Sequence, residues 1–493
     1  MAQKPAGQKT KVRLPLIGAY SNRGTNPHKD QRFVNAFPET RKVEQLDNTR
    51  IYINKRPGLV ELANVTTDAQ GRGFIHFYSH FYSIIGNTVW QTTESGATSV
   101  ALITLPSSTG PCGIIQANSS TLGDYLFIVD GTVGWVIEAS GTATQITDPD
   151  FPTPHSPVPT FLDGYVFIAK GSDVYNCDLD DPFGWTTDQY LSAEQFPDPV
   201  VGLARQNNQI VVFGQSSIEF FYDAANASGS PLSRNDAAII QMGIAAPHAV
   251  YQNEQFCAYV GQSESGGRAV WVIEGFKPRK VSDEYIERIL DAEGRMKDCV
   301  GFGFRTKGHL FFLINLKDQD RTLVYDFDEK LWHEWATTIF VPTTYDPQAN
   351  DPVVHHAFDY DHSADNQTGK IYLLSASTGD IYYLSPDENT DEGNPIVVEI
   401  RTNKYDMDTI NRKFGASARI VGDAYEYPNT VYLSWSDDDY QTWSNQHPMD
   451  LSDGHPYKGR MGHWRRRAWR LIHVQNAPCR LESLELYYEE GIS

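Results

Sequence analysis

Cysteine, methionine and positive charge are the scarce quantities in this sequence. Its 493 residues include 5 Cys and 6 Met. The cysteines (Cys112, Cys177, Cys257, Cys299 and Cys479) stand far apart and are odd in number, which argues against a disulfide framework and a zinc site and leaves reduced thiols as the expectation. Lys and Arg total 41 against 62 Asp and Glu, a net charge of −21. A surface built to hold nucleic acid by counterion release is therefore not expected. No run approaches the roughly 20 apolar residues that a membrane helix needs, and residues 1–11 are polar, without the apolar stretch of a signal peptide. No membrane-spanning segment and no export by that route are expected.

What the sequence has in plenty is aromatic side chains (26 Tyr, 24 Phe, 10 Trp), with 38 Gly and 27 Pro. That mixture favours strands and turns over helices. The scarce positive charge is also unevenly placed. Residues 1–60 carry 12 basic and 4 acidic side chains, a net of +8, so the remainder carries −29. A basic arm precedes an acidic body.

Along that body one couplet recurs: an aromatic or β-branched run, a turn rich in Gly, Asn, Asp or Ser, and a second such run. Each couplet reads as a β-hairpin. Their first strands begin at Phe81, Tyr125, Tyr165, Ile210, Phe256, Leu310 and Ile371, a spacing of about 40 to 60 residues that is near the repeat of propeller blades. A blade cannot bury both faces alone, so blades at this period pack radially around an axis. The fold expected is all-β: a β-propeller of six or seven blades over residues 61–386, preceded by an extended N-terminal arm over residues 1–60. The segment 282–295 breaks the pattern, with Ser282 as the expected N-cap of a short helix presenting Ile286, Ile289 and Leu290 on one side. The charged, turn-rich stretch 387–395 is the expected boundary. Beyond it, residues 396–493 carry five further strand runs, enough for a C-terminal β-sandwich.

Sites of chemistry are harder to find. His355, His356, Asp359, Asp361 and His362 are metal-ligand types, but they lack the helical His-Glu-x-x-His spacing and read as a loop at a blade edge. Residues 436–443 (Ser-Asp-Asp-Asp-Tyr-Gln-Thr-Trp) are similar to the Asp-box turn of sialidase-type propellers, with Tyr440 where that turn has Gly. Such a box is a turn held by its own carboxylate. Phosphate-cradling and serine-nucleophile motifs are absent, and carboxylates are too many for any pair to be singled out as a glycosidase site. No catalytic, cofactor-binding or metal residue is assigned, and an enzyme is not expected. The run Lys458, Arg460, His463, Arg465, Arg466, Arg467 and Arg470, interleaved with Trp464 and Trp469, suits an acidic neighbouring subunit or domain better than nucleic acid, because planar guanidinium pairs with carboxylate and Arg and Trp anchor interfaces.

Three stretches carry a family resemblance. They are Arg32-Phe33-Val34-Asn35-Ala36-Phe37-Pro38-Glu39 with Arg56-Pro57-Gly58-Leu59, then Val212-Phe213-Gly214-Gln215-Ser216-Ser217-Ile218-Glu219-Phe220, then Gly459-Arg460-Met461-Gly462 with the arginines that follow. In this order the chain resembles the tail hub or nozzle proteins of podovirus-type phages, the packaged-DNA stabilisation proteins. The resemblance implies a structural protein of the virion tail, assembled in the host bacterial cytoplasm as a homo-hexameric ring below the portal and its adaptor ring. Such a ring retains packaged DNA and later conducts it, with double-stranded DNA passing through without specific binding. Tail fibres or tailspikes, and in some members a tail needle, are the implied neighbours. Candidate subunit and adaptor contacts are Arg460, Trp464, Arg465, Arg466, Arg467 and Arg470, and in the basic arm Arg13, Arg23, Lys29 and Arg32. The competing reading is a glycan-binding or glycan-degrading propeller of a phage tail.

Overall fold

A computed structural model describes residues 10–491 except 18–30, 44–47, 66–68, 194–195, 197, 254, 264–265, 341–352, 367–368 and 455. The chain forms two compact units: one of residues Glu61–Asp320 with Asp359–Leu384, the other of Met1–Val60, Arg321–Phe358 and Ser385–Ser493.

The first unit is a β-propeller. Each expected hairpin within it is found, as in His80–Ile85 with Thr88–Thr93 and Gly123–Val129 with Gly134–Glu138. Four sheets have four antiparallel strands, with inner strands Gly71–Phe77, Gly113–Ser119, Thr160–Leu162 and Val200–Gln206. In a fifth the inner strand is split into Gly243–Ile244 and Val250–Gln252. Two further inner strands, Val300–Thr306 and Tyr360–Asp365, complete a closed circuit in which Tyr360–Asp365 packs against Gly71–Phe77. The blades thus lie within the expected range of six or seven.

The apolar clusters show why the ring forms. One joins Phe77, Tyr82 and Ile84 of the first sheet to Leu126 and Ile128 of the second. Another joins Tyr125 and Phe127 of the second to Val166 and Ile168 of the third. The second sheet is therefore buried by its neighbours on both faces, and a fully buried side chain of this size is worth roughly 1.5–3 kcal/mol. At Asp163-Gly164 both residues are left-handed (φ 47° and 88°), the backbone that a tight hairpin needs.

The helix comes out as Glu284–Ala292 with Tyr285, Ile286, Ile289 and Leu290 buried. Its N-cap is Asp283, not the expected Ser282. The Asp283 carboxylate accepts from the backbone N–H of Tyr285 and Ile286. The Ser282 hydroxyl is engaged elsewhere, accepting from Val270 N–H and donating to Glu287.

The second unit differs from the expected arm and separate C-terminal domain. The described part of the basic N-terminal segment is woven into the same sheets as the C-terminus. Thr10–Pro15 pairs along Arg480–Glu490, which also pairs with Asn48–Lys55 and Lys413–Gly422. Arg32–Val34 lies between Val398–Arg401, antiparallel, and Leu331–Phe340, parallel. Residues 321–358, expected within the propeller, belong here too. Side chains from both sheets meet in one core that includes Leu14, Phe33, Ile53, Ile400, Leu433, Leu471 and Leu484. The expected boundary stretch 387–395 is itself part of this unit, and the division falls between Leu384 and Ser385.

Candidate functional site

The N-terminal motif residues form a buried joint in the second unit. Asn35 is left-handed (φ 55°) and buried. Its amide donates to the carbonyl of Val397, and its oxygen accepts from Arg56 Nε and from Ala336 N–H, each at 2.8 Å. Arg56, 1% exposed, grips the Asp391 carboxylate with both terminal nitrogens and donates to the carbonyls of Pro57 and Ala336. Its guanidinium faces the rings of Phe358 and Trp335 at 4.9 and 5.6 Å. Gly58 is required by close approach, since a Cβ there would stand 2.4 Å from the carbonyl of Thr390.

Beside this joint lies a buried charge network. Glu334 accepts from Arg32 through two bonds of 2.9 and 2.7 Å and from Arg321. Glu399, 0% exposed, accepts from Arg401 at 2.6 Å, Arg470 at 2.7 Å and His355 Nε2 at 3.0 Å. Burial alone would raise both carboxyls. The arginines overcome it and hold both well below the usual carboxylate range. Burial lowers the His355 pKa despite Glu399, and the ring bridges Glu399 through Nε2 and the Thr338 hydroxyl through Nδ1 at 2.9 Å.

These contacts redistribute the expected interface residues. Arg32 is committed to Glu334, whereas Arg13 contacts Ser483 and Glu482 and stays exposed. Arg23 and Lys29 lie outside the described residues. In the C-terminal run, Arg467 is 1% exposed, bound through two 2.7 Å contacts to Asp437 and through a third to the carbonyl of Met461. Its guanidinium sits 4.1 Å from the Trp464 ring centroid, 5.0 Å from that of Trp435 and 5.4 Å from that of Trp469. Trp464 is buried and Arg470 is held by Glu399. That leaves Arg460, Arg465 and Arg466 exposed, with His463, Phe414 and Tyr457 also exposed. The joint and the network are not legible locally, because their partners stand from 2 residues apart (Arg401 and Glu399) to more than 300 (Arg32 with Glu334, Arg56 with Asp391), with no common spacing. Only the motif Asn35, short and polar where a left-handed turn was needed, carried a signal.

The remaining candidates are internally satisfied. Asp438 accepts from the N–H of Thr442 at 2.9 Å and from the Ser436 hydroxyl at 2.8 Å, so it holds the turn. Tyr440, in the Gly place, takes φ 63° and is fixed there by burial and by its hydroxyl bond to the carbonyl of Thr402. The bonds from Thr442 lower the Asp438 pKa to about 2. In a carboxyl-carbon NMR titration Asp438 should give a midpoint near 2 in the intact protein and move toward the ordinary value, about 4, in Thr442→Val. Asp359 accepts from Ser375 and Ser377, and His362 pairs with Asp361 at 2.7 Å. Among the described residues no three His, Cys, Asp or Glu side chains are placed to hold a metal. All five cysteines are free and buried, and burial pushes each thiol up to about 12.

A family profile described as Phage_stabilise, Bacteriophage P22 Gp10, beta-propeller, matches residues 12–378. No curated protein matches the chain. Among solved structures, a streptogramin B lyase is 9% identical, with 67% of this chain and 98% of that chain covered at a TM-score of 0.39. The Pan2 WD40 domain of Neurospora crassa is 10% identical, covering 68% and 96% at 0.40. The N-terminal domain of Nup159 is 11% identical, covering 71% and 98% at 0.38. Likeness at this level says nothing of activity.

Proposed function

This chain belongs to the phage stabilisation family of Bacteriophage P22 Gp10, and on that premise we propose that it is the tail hub or nozzle subunit of a short-tailed phage. It assembles as a homo-hexameric ring below the portal-adaptor ring, retains packaged DNA, and conducts it at ejection, with a tail fibre or tailspike and in some virions a tail needle as neighbours. The observation that carries this reading is the family match over residues 12–378. The charge supports it: a chain of net −21 repels phosphate, so duplex DNA slides past instead of sticking.

The subunit contact is assigned to the exposed part of the Arg-rich segment, Arg460, Arg465 and Arg466. Guanidinium fits the carboxylates of an acidic neighbouring copy, and the exposed rings of Phe414 and Tyr457 supply apolar area. Replacing Arg460, Arg465 and Arg466 together with Gln should leave the fold intact and reduce ring formation, read by native mass spectrometry across a salt series. Unchanged assembly at every salt would remove this contact from the account. Arg467 is unsuited to that test, since Arg467→Gln removes a buried guanidinium packed among three tryptophans and the donor to the Met461 carbonyl, and should destabilise the unit locally.

A further inference from the structure

The propeller unit has an open cleft of about 380 Å³ between the hairpin tip at Asn207 and Asn208 and the side chains of Gln209, Phe220, Tyr222 and Phe276, within the range of small-molecule sites, roughly 300–1,000 Å³. We propose that this cleft binds a neutral glycan unit of disaccharide size.

The lining sorts into two chemistries. Phe276 and Tyr222 are large rings left 43% and 41% exposed, where hydrophobic burial would ordinarily cover them. Phe220 forms the floor and stands edge-on to Phe276, centroids 5.2 Å apart at 88°, which fixes the Phe276 ring without covering it. Tyr222 faces Gln209 across the strand pair, so an aromatic face and an amide lie side by side. A pyranose presents the matching surface, a plane of C–H groups rimmed by hydroxyls.

The polar part of the lining suits hydroxyls. Asn207 and Asn208 are exposed at a hairpin tip whose left-handed turn is set at Asn207 (φ 52°). Each amide offers two donors and an acceptor, the mixture that a hydroxyl, itself donor and acceptor, can satisfy. That tip is anchored: the Gln206 amide donates to the carbonyls of Gln255 and Ile273, and Arg205 Nε donates to the carbonyl of Asn207. One oxygen of Asp223 accepts from Ala225 N–H at 2.7 Å, which orients the carboxylate and leaves its other oxygen to accept from a hydroxyl. The lining itself contains no Lys, Arg or His and its one charged side chain is Asp223, while the neighbouring Arg205 is tied to the Asn207 carbonyl, so the lining offers a phosphate, a nucleotide or an acidic sugar no cation of its own. A neutral sugar is what remains.

The test uses the full chain and saturation-transfer NMR with N,N′-diacetylchitobiose, maltose, lactose and cellobiose as probes. Saturation should pass to the ring C–H protons of at least one of the four. Phe276→Ala and Tyr222→Ala, both at exposed positions, should each weaken that binding about tenfold. Asn208→Ala should weaken it less, and Tyr78→Ala, a 57% exposed ring outside the cleft, should leave it unchanged. Absence of transfer to all four sugars overturns the proposal, as does transfer that survives both ring deletions. Ring assembly is read separately, so failure of either claim leaves the other standing.

Discussion

Glu399→Gln should lower the thermal midpoint of the second unit by about 6–20 °C. The carboxylate is fully buried and accepts from Arg401, Arg470 and His355. Removing one partner of a buried ionic cluster leaves the others desolvated and uncompensated, which costs about 3–5 kcal/mol, and in a unit of this size each kcal/mol moves the midpoint roughly 2–4 °C. Hydrogen exchange should place the loss in Val398–Arg401 and Ala468–His473, which are paired strands. Glu274→Gln, at an exposed pair with Arg279, should change stability by less than about 1 kcal/mol. Equal effects at the two positions would show that the buried cluster is no keystone.

The same cluster sets a direction with pH. Glu334 and Glu399 titrate in the folded state well below their unfolded value of about 4.3. Their contribution is therefore fully present above that value and is lost as pH falls through it toward the folded values. The second unit should accordingly weaken below about pH 4, and Glu399→Gln should flatten that acid limb.

Arg56→Lys is the second large effect expected, a loss of about 3–5 kcal/mol despite retained charge. A lysine ammonium cannot bond Asp391 through two nitrogens while also reaching Asn35 and the carbonyls of Pro57 and Ala336, all of which Arg56 does. A double-mutant cycle with Asp391→Asn, followed by urea unfolding, should return a coupling of at least about 1–3 kcal/mol. Additive losses would mean that the fork and the carboxylate act independently.

The propeller was legible in the sequence because its hairpins are local. Runs such as Tyr125-Leu126-Phe127-Ile128-Val129 announce a strand buried on both faces, and their spacing announces the repeat. The second unit was much less legible, because the pairing of Thr10–Pro15 with Arg480–Glu490 and of Val34 with Glu334 joins segments hundreds of residues apart. Nothing in the local pattern of either partner marks the other. The C-terminal arginines show a different limit. Composition reads them as one basic face, whereas Arg467 turns inward among three tryptophans and Arg465 and Arg466 stay out.

The tail assignment is most directly tested by cryo-electron microscopy of the purified full chain and of the tail that contains it. A six-fold ring with the acidic propeller units around a central hole wide enough for duplex DNA is the expected result. A particle that stays monomeric alone and shows no six-fold density in the tail would contradict it.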